Sequence, residues 1–287
     1  MARFNLPRIG TDNKRQVLLC VLCGLLAALV AFWVNLPVRP LADRLVQSAA
    51  KQGLHMVIDR PALAFPFGLH AAGMEVRIPN LPHPPIPLRG LTLTPAWTSL
   101  FGSNPGLDLE TGVMSGKLWA TVHRKGDIAL RLKGLQLSES LGPRLPLQVV
   151  AVIESGQFNG RLPLAGRNSS DLELTLNNAA LVGLKTFGAA RDRLNLGRIR
   201  LKAGGRGATL KITTLEASGG DIEAAGSGSL TLGRTPALSR LNLTLQLKPS
   251  AALDPALRDL LNLLGKPGRD GRYRLRLSGP LNALRTR

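Results

Sequence analysis

The sequence predicts a mainly β protein: a single N-terminal transmembrane helix, then a large curved antiparallel β-sheet with a few short helices. Three observations lead there. From about residue 107 onward, apolar and polar residues alternate in set after set, the period of a strand with one buried face. The 31 glycines and 20 prolines are frequent but not periodic, so they divide the chain into many short elements and exclude a collagen-like repeat. One uninterrupted apolar run covers Val17 to Val34 and is 18 residues long. A chain of 287 residues with 44% hydrophobic content can bury a sizeable core. Cys20 and Cys23 are its only cysteines, and both lie in the apolar run. The rest of the chain therefore has no disulfide framework and no cysteine-rich metal site.

Residues 1–16 form a basic tip, with Arg3, Arg8, Lys14 and Arg15 against Asp12. Residues 17–36 form the predicted span, anchored by Val17, Leu18, Leu19, Leu22, Leu25, Leu26, Leu29, Phe32, Trp33 and Val34. A helix rising ~1.5 Å per residue covers about 27 Å over the apolar run, close to the ~30 Å hydrocarbon thickness. Lys14 and Arg15 abut its start and set the topology: the N-terminus is cytoplasmic and residues 37–287 are exported. The run ends in Ala-Phe-Trp-Val-Asn. Bulky groups stand where a signal peptidase needs small ones, so the segment reads as an uncleaved anchor.

In the exported part, Leu41, Leu45, Val46 and Ala49 recur at helical spacing and Gly53 follows, predicting a short helix near 41–52. His55 to Leu63 reads as a first strand. Six prolines between residues 79 and 95 preclude a regular helix there and confine any strand to a sheet edge. The alternating sets follow: Leu107 and Leu109; Leu118, Ala120 and Val122; Ile128, Leu130 and Leu132; Leu135 and Leu137; Leu145, Leu147 and Val149. Later sets include Ile199 and Leu201, Leu210 and Ile212, and Tyr273, Leu275 and Leu277. Leu172, Leu174 and Leu176, with Leu241, Leu243, Leu245 and Leu247, are the candidate apolar sheet face. A parallel sheet covered on both sides would show continuous apolar runs and intervening helices, so this alternation predicts an antiparallel sheet with one wet face. The glycines at 204–207, Gly219-Gly220, and Gly268 with Gly271 read as turns. Leucine stands where strands usually carry valine or isoleucine, which suggests a wide apolar face. Residues 250–264 are the exception: Ser250 is placed to cap a helix whose stripe is Leu253, Leu257, Leu260, Leu261 and Leu264, with Gly265 at its end.

The formal net charge is +19, of which the tip supplies only a small part, leaving +16 for the rest of the chain. Arg131, Lys133, Arg198, Arg200, Lys202 and Lys211, with Arg272, Arg274 and Arg276, alternate with apolar residues and make the wet face basic. Such a face attracts anionic lipid or acidic proteins. Nucleic acid is a poor partner, because aromatic residues are only 4% of the chain and the charge lies outside the cytoplasm. His55, His70, His83 and His123 have no zinc-ligand spacing, and no serine has a Gly-x-Ser-x-Gly elbow. The pairs Asp171/Glu173 and Asp221/Glu223 read as solvated surface, and the glycines at 219–228 as a strand turn without a phosphate-binding lysine. The expectation is a non-enzyme with no cofactor and no metal.

The basic tip, single anchor, proline-rich early segment and leucine-alternating strands, with Asp171-Leu-Glu-Leu-Thr-Leu-Asn-Asn-Ala179, Gly220-Asp-Ile-Glu-Ala-Ala-Gly-Ser-Gly-Ser-Leu230 and Asp270-Gly-Arg-Tyr-Arg-Leu-Arg-Leu-Ser-Gly279, resemble the type II secretion system protein N (GspN) family over most of the chain. There is a looser similarity to AsmA-like periplasmic sheet proteins. The first resemblance implies an accessory or scaffold component of the bacterial inner membrane, its bulk periplasmic, contributing to export of folded proteins across the outer membrane. Its implied partners are other inner-membrane secretion components and the outer-membrane secretin. The second implies a lipid-binding or lipid-transfer module with a leucine-lined groove and membrane lipid as its partner.

Overall fold

Alternation becomes pairing in the computed structural model, which describes residues 21, 23–24, 38–51, 55–64, 68–77, 86–100, 102–140, 146–162, 168–233, 238–251, 253–281, 283 and 285–286. Among the described residues fifteen strands run in chain order: β1 (His55–Ala64), β2 (Gly68–Arg77), β3 (Ile86–Pro95), β4 (Gly106–Val113), β5 (Gly116–His123), β6 (Asp127–Lys133), β7 (Leu135–Ser140), β8 (Gln148–Arg161), β9 (Ser169–Val182), β10 (Arg193–Arg206), β11 (Thr209–Ser218), β12 (Ile222–Thr231), β13 (Arg240–Pro249), β14 (Tyr273–Pro280) and β15 (Arg285–Thr286). They form one antiparallel sheet whose path runs from β1 to β6 and on from β8 to β15, with β7 paired to β8 off that path. Short turns such as Met114-Ser115 and Gly207-Ala208 allow this neighbour-to-neighbour order, because a tight hairpin delivers the next strand antiparallel beside the last.

The side branch has a geometric cause. β8 is 14 residues long, about 47 Å at ~3.4 Å per residue. Its second half pairs β6 from Asp127↔Arg161 to Leu132↔Gly156, and its first half pairs β7 from Leu135↔Ile153 to Ser140↔Gln148. Gly134, at φ 71° between the two short strands, donates its N–H to the Ile153 carbonyl at 2.8 Å. A left-handed residue breaks the ladder here, and glycine adopts that conformation without a steric penalty.

Several expectations need correction. The first helix, α1, is Val38–Lys51, starting earlier than 41–52. β1 runs through Pro61 to Ala64, which an edge strand tolerates because its outer backbone groups need no partner. β3 carries Pro87 and Pro95 yet lies between β2 and β4 rather than at an edge. Its prolines fall near its two ends, and a register shift between Arg89 and Thr92 absorbs the irregularity. Leu194, Leu196, Ile199 and Leu201 belong to one strand, and Gly204 and Gly205 lie inside it, leaving the turn to Gly207 and Ala208. β2 was not legible: its alternation is carried by Gly, Ala and His in GLHAAGMEVR. The predicted span 17–36 lies outside the described residues apart from Val21, Cys23 and Gly24, which are helical. Among the described residues no helix is long and apolar enough to cross a membrane. Lys14 and Arg15 also lie outside them.

After a one-turn helix at Trp97–Leu100, the last described helix, labelled α2, spans Pro255–Leu264, shorter than 250–264. Its N-cap is Asp254, not Ser250: Asp254 Oδ1 accepts the Ala256 N–H at 3.0 Å, and Pro255 occupies the first helical position. The other carboxylate oxygen accepts the N–H groups of Ala190 at 2.8 Å and Arg191 at 3.2 Å. One side chain therefore satisfies the helix start and ties it to the loop after a 3₁₀ turn at Leu184–Phe187. Leu253, Leu257 and Leu261 are buried on Leu184, Ala189, Leu194, Ile222 and Tyr273, so the stripe closes one end of the apolar sheet face. The side chains of Leu260 and Leu264 lie outside the described residues.

Candidate functional site

The register assembles the apolar side chains into continuous rows. One row crosses thirteen strands: Leu63, Leu69, Leu93, Leu109, Ala120, Leu130, Phe158, Leu172, Ala203, Ile212, Gly228, Leu243 and Leu277 are successive cross-strand partners. At about 4.8 Å per strand this track is roughly 58 Å long. Parallel rows link Leu174 through Leu201, Leu215 and Gly226 to Leu245, and Leu176 through Ile199, Ala217 and Ala224 to Leu247. Leu241 is reached from Leu210 through Leu230. The seven leucines of the candidate face therefore share one side of the sheet. Leu243 is buried, whereas Leu172, Leu174, Leu176, Leu241, Leu245 and Leu247 keep part of their surface open. Gly228 is required within the row, because a Cβ there would lie 2.1 Å from the Asn242 carbonyl oxygen.

The opposite face is polar and forms a concavity of about 1210 Å³ lined from Thr92 on β3 to Arg200 on β10. A second cross-strand row runs through it: His70, Thr92, Glu110, Trp119, Arg131, Gln157, Glu173 and Lys202. Its carboxylates are already engaged. Glu110 meets Lys117 Nζ at 3.2 Å, Glu173 meets Lys202 Nζ at 3.0 Å, and Asp108 accepts the Thr121 hydroxyl at 2.7 Å. Glu154 is bound by the Arg198 guanidinium and accepts Asn177 Nδ2 at 3.0 Å. The Arg198 hydrogen bond, opposed in part by desolvation, holds the Glu154 carboxyl below the usual carboxylate value. Arg131, Lys133 and Arg200 line the same concavity without an ion pair among the described residues.

The basic face is where alternation placed it, and Arg131, Lys133, Arg200, Lys202, Lys211, Arg272, Arg274 and Arg276 are exposed on it. Asp171 and Glu173 point to it as well, whereas Asp221 sits in a turn and accepts the Asn195 N–H at 2.8 Å. His70 pairs with Thr92 at 3.2 Å and His123 Nδ1 lies 3.1 Å from the Asn104 carbonyl. No group of three or more His, Cys, Asp or Glu could hold a metal ion among the described residues. Sequence reasoning missed the concavity and its tryptophan. Its signal was available: Trp119 occupies a polar-face position between Leu118 and Ala120, where alternation calls for a hydrophilic residue.

Comparison with known protein families, with curated proteins and with solved structures gives no match.

Proposed function

We propose that the protein is a non-catalytic scaffold of the type II secretion system, tethered to the inner membrane through residues 17–36 and contributing to export of folded proteins across the outer membrane. The observation that carries this reading, beside the resemblance in sequence, is the open sheet. Among the described residues β1 pairs only with β2, β15 only with β14, and β7 only with β8. An edge strand presents a row of unsatisfied backbone N–H and C=O groups to which an extended segment of a partner adds as a further strand. Scaffolding by strand addition needs no reactive side chain, which fits carboxylates already committed to neighbouring cations. The test is purification from mildly solubilised membranes. The chain is expected to bring down inner-membrane secretion components or the secretin, and removal of residues 282–287 is expected to reduce recovery at least twofold with the sheet signal in circular dichroism intact. Recovery without any secretion component, together with normal exoprotein secretion in a deletion strain, overturns the proposal.

A second reading, binding of membrane lipid along the apolar face, is favoured by the thirteen-strand row. The row is roughly twice the ~30 Å thickness of a bilayer core, and much of its leucine surface is only half-buried. A photoreactive residue at Leu174 in native membranes is expected to capture phospholipid, and one at Gln157 on the polar face is not. Equal labelling at both positions removes the groove.

A further inference from the structure

The polar concavity is built differently from a solvated basic face. In the latter, cations and carboxylates neutralise each other or face bulk water. Here three carboxylates are held by cations, while three further cations stand outside any ion pair among the described residues. Glu110, Glu154 and Glu173 each hold a lysine or arginine, whereas Arg131, Lys133 and Arg200 line the same space without a close ion pair among the described residues, and Arg200 acts on Glu154 only at longer range. Arg200 faces Glu216 across the β10–β11 pair but makes no ion pair with it. Asp108, bonded to the neutral Thr121 hydroxyl, keeps its negative charge, and the three cations outside ion pairs outweigh it, so the open charge of the concavity is positive. Its one aromatic lining residue is Trp119, half-buried, between Glu110 and Arg131 on the neighbouring strands. Lys117 Nζ, fixed by Glu110, stands 5.9 Å from the ring centroid.

We propose that this concavity binds an acidic saccharide. Four features select that class. The volume of about 1210 Å³ exceeds the ~300–1000 Å³ of a site for one small molecule, so it suits several linked rings better than a lone anion. Arg131, Lys133 and Arg200 offer charge-assisted hydrogen bonds to carboxylate or sulfate groups. Between them, Gln157 and Thr175 supply neutral donors and acceptors with no partner of their own among the described residues, which match hydroxyl groups. Trp119 adds a flat, weakly polar surface for the apolar face of a sugar ring. A phosphate or a lipid headgroup would use the cations and leave the tryptophan and most of the length unused.

The experiment uses the full chain in mild detergent, with Trp33→Phe and Trp97→Phe so that Trp119 is the reporting tryptophan. Tetragalacturonate is titrated against it, with maltotetraose as the neutral counterpart, inorganic phosphate as the bare anion and phosphatidylglycerol vesicles as the lipid surface. The expected result is saturable quenching by tetragalacturonate, at least tenfold weaker binding of maltotetraose and phosphate, and no displacement by vesicles. Arg131→Gln and Lys133→Gln are expected to weaken binding at least tenfold together with no change in the thermal unfolding curve, and Arg131→Lys less than Arg131→Gln. Absence of saturable quenching, equal binding of the neutral oligomer, an equally tight phosphate, displacement by vesicles, or unchanged binding in the two glutamine variants each overturns the assignment.

Discussion

Glu154, Arg198 and Asn177 meet on three adjacent strands, β8, β9 and β10. Arg198 Nε also donates to Asn177 Oδ1 at 3.1 Å, closing the triangle. Because the Glu154 carboxyl is held below its ordinary 4.5, its contribution is fully present above that value and is lost as pH falls through the depressed one. Glu154→Gln is therefore expected to lower the melting temperature at neutral pH and to converge with the parent in acid. A difference that persists unchanged at pH 2 contradicts this. Met114 is a second test at the scale of one residue. It occupies the β4–β5 turn with φ 53°, a conformation costing an L-residue roughly 1–2 kcal/mol. Met114→Gly removes most of that strain and is expected to stabilise the chain by about 0.5–1 kcal/mol, read as a melting temperature raised by a few degrees.

At the scale of elements, α2 depends on a residue that sequence reading passed over. Asp254 precedes Pro255, and from periodicity alone Ser250 looked like the cap. The difference arises because Asp254 has two oxygens and a second set of donors at Ala190 and Arg191, 64 and 63 residues earlier in the chain. No local signal contains that contact. Asp254→Ala is expected to destabilise α2 by about 1–2 kcal/mol, the range for a lost cap, and to raise amide exchange in residues 184–192 as well as in 255–264. Exchange confined to the helix would mean that the carboxylate serves the cap alone. By contrast, the stripe of Leu253, Leu257 and Leu261 was legible, since helical spacing fixes which side chains share a face wherever the helix starts. β2 and β3 were hidden for a related reason: glycine, alanine and proline carry little hydropathy contrast, and pairing of β2 with β1 and β3, and of β3 with β4, recruits them into the sheet.

For the whole molecule, the order of strands along the sheet follows the order in sequence, so most contacts join neighbours. A structure of that kind behaves as a nearly one-dimensional array whose ends open before its middle. Leu275 is buried on β14, one strand from the end of the path. Leu275→Ala, a core truncation worth ~2–5 kcal/mol, is expected to remove amide protection from β13 and β14 while β4, β5 and β8 keep theirs. Simultaneous loss across all strands would show a single cooperative unit instead.

The sequence by itself determined that the chain is mainly β, which residues lie on the greasy side and which on the wet side, and the turns at Gly219-Gly220 and at Gly268 with Gly271. Those properties follow from a period of two along one strand and from local backbone preferences. Only the tertiary structure decided which residue stands beside which. Strand register and the bulges between Arg89 and Thr92, and between Lys202 and Ala203, align single leucines into one track. On the other face they bring Trp119, Arg131 and Arg200 into a common hollow. Register depends on pairing between segments far apart in the chain, and alternation carries the face of a side chain but not its neighbour.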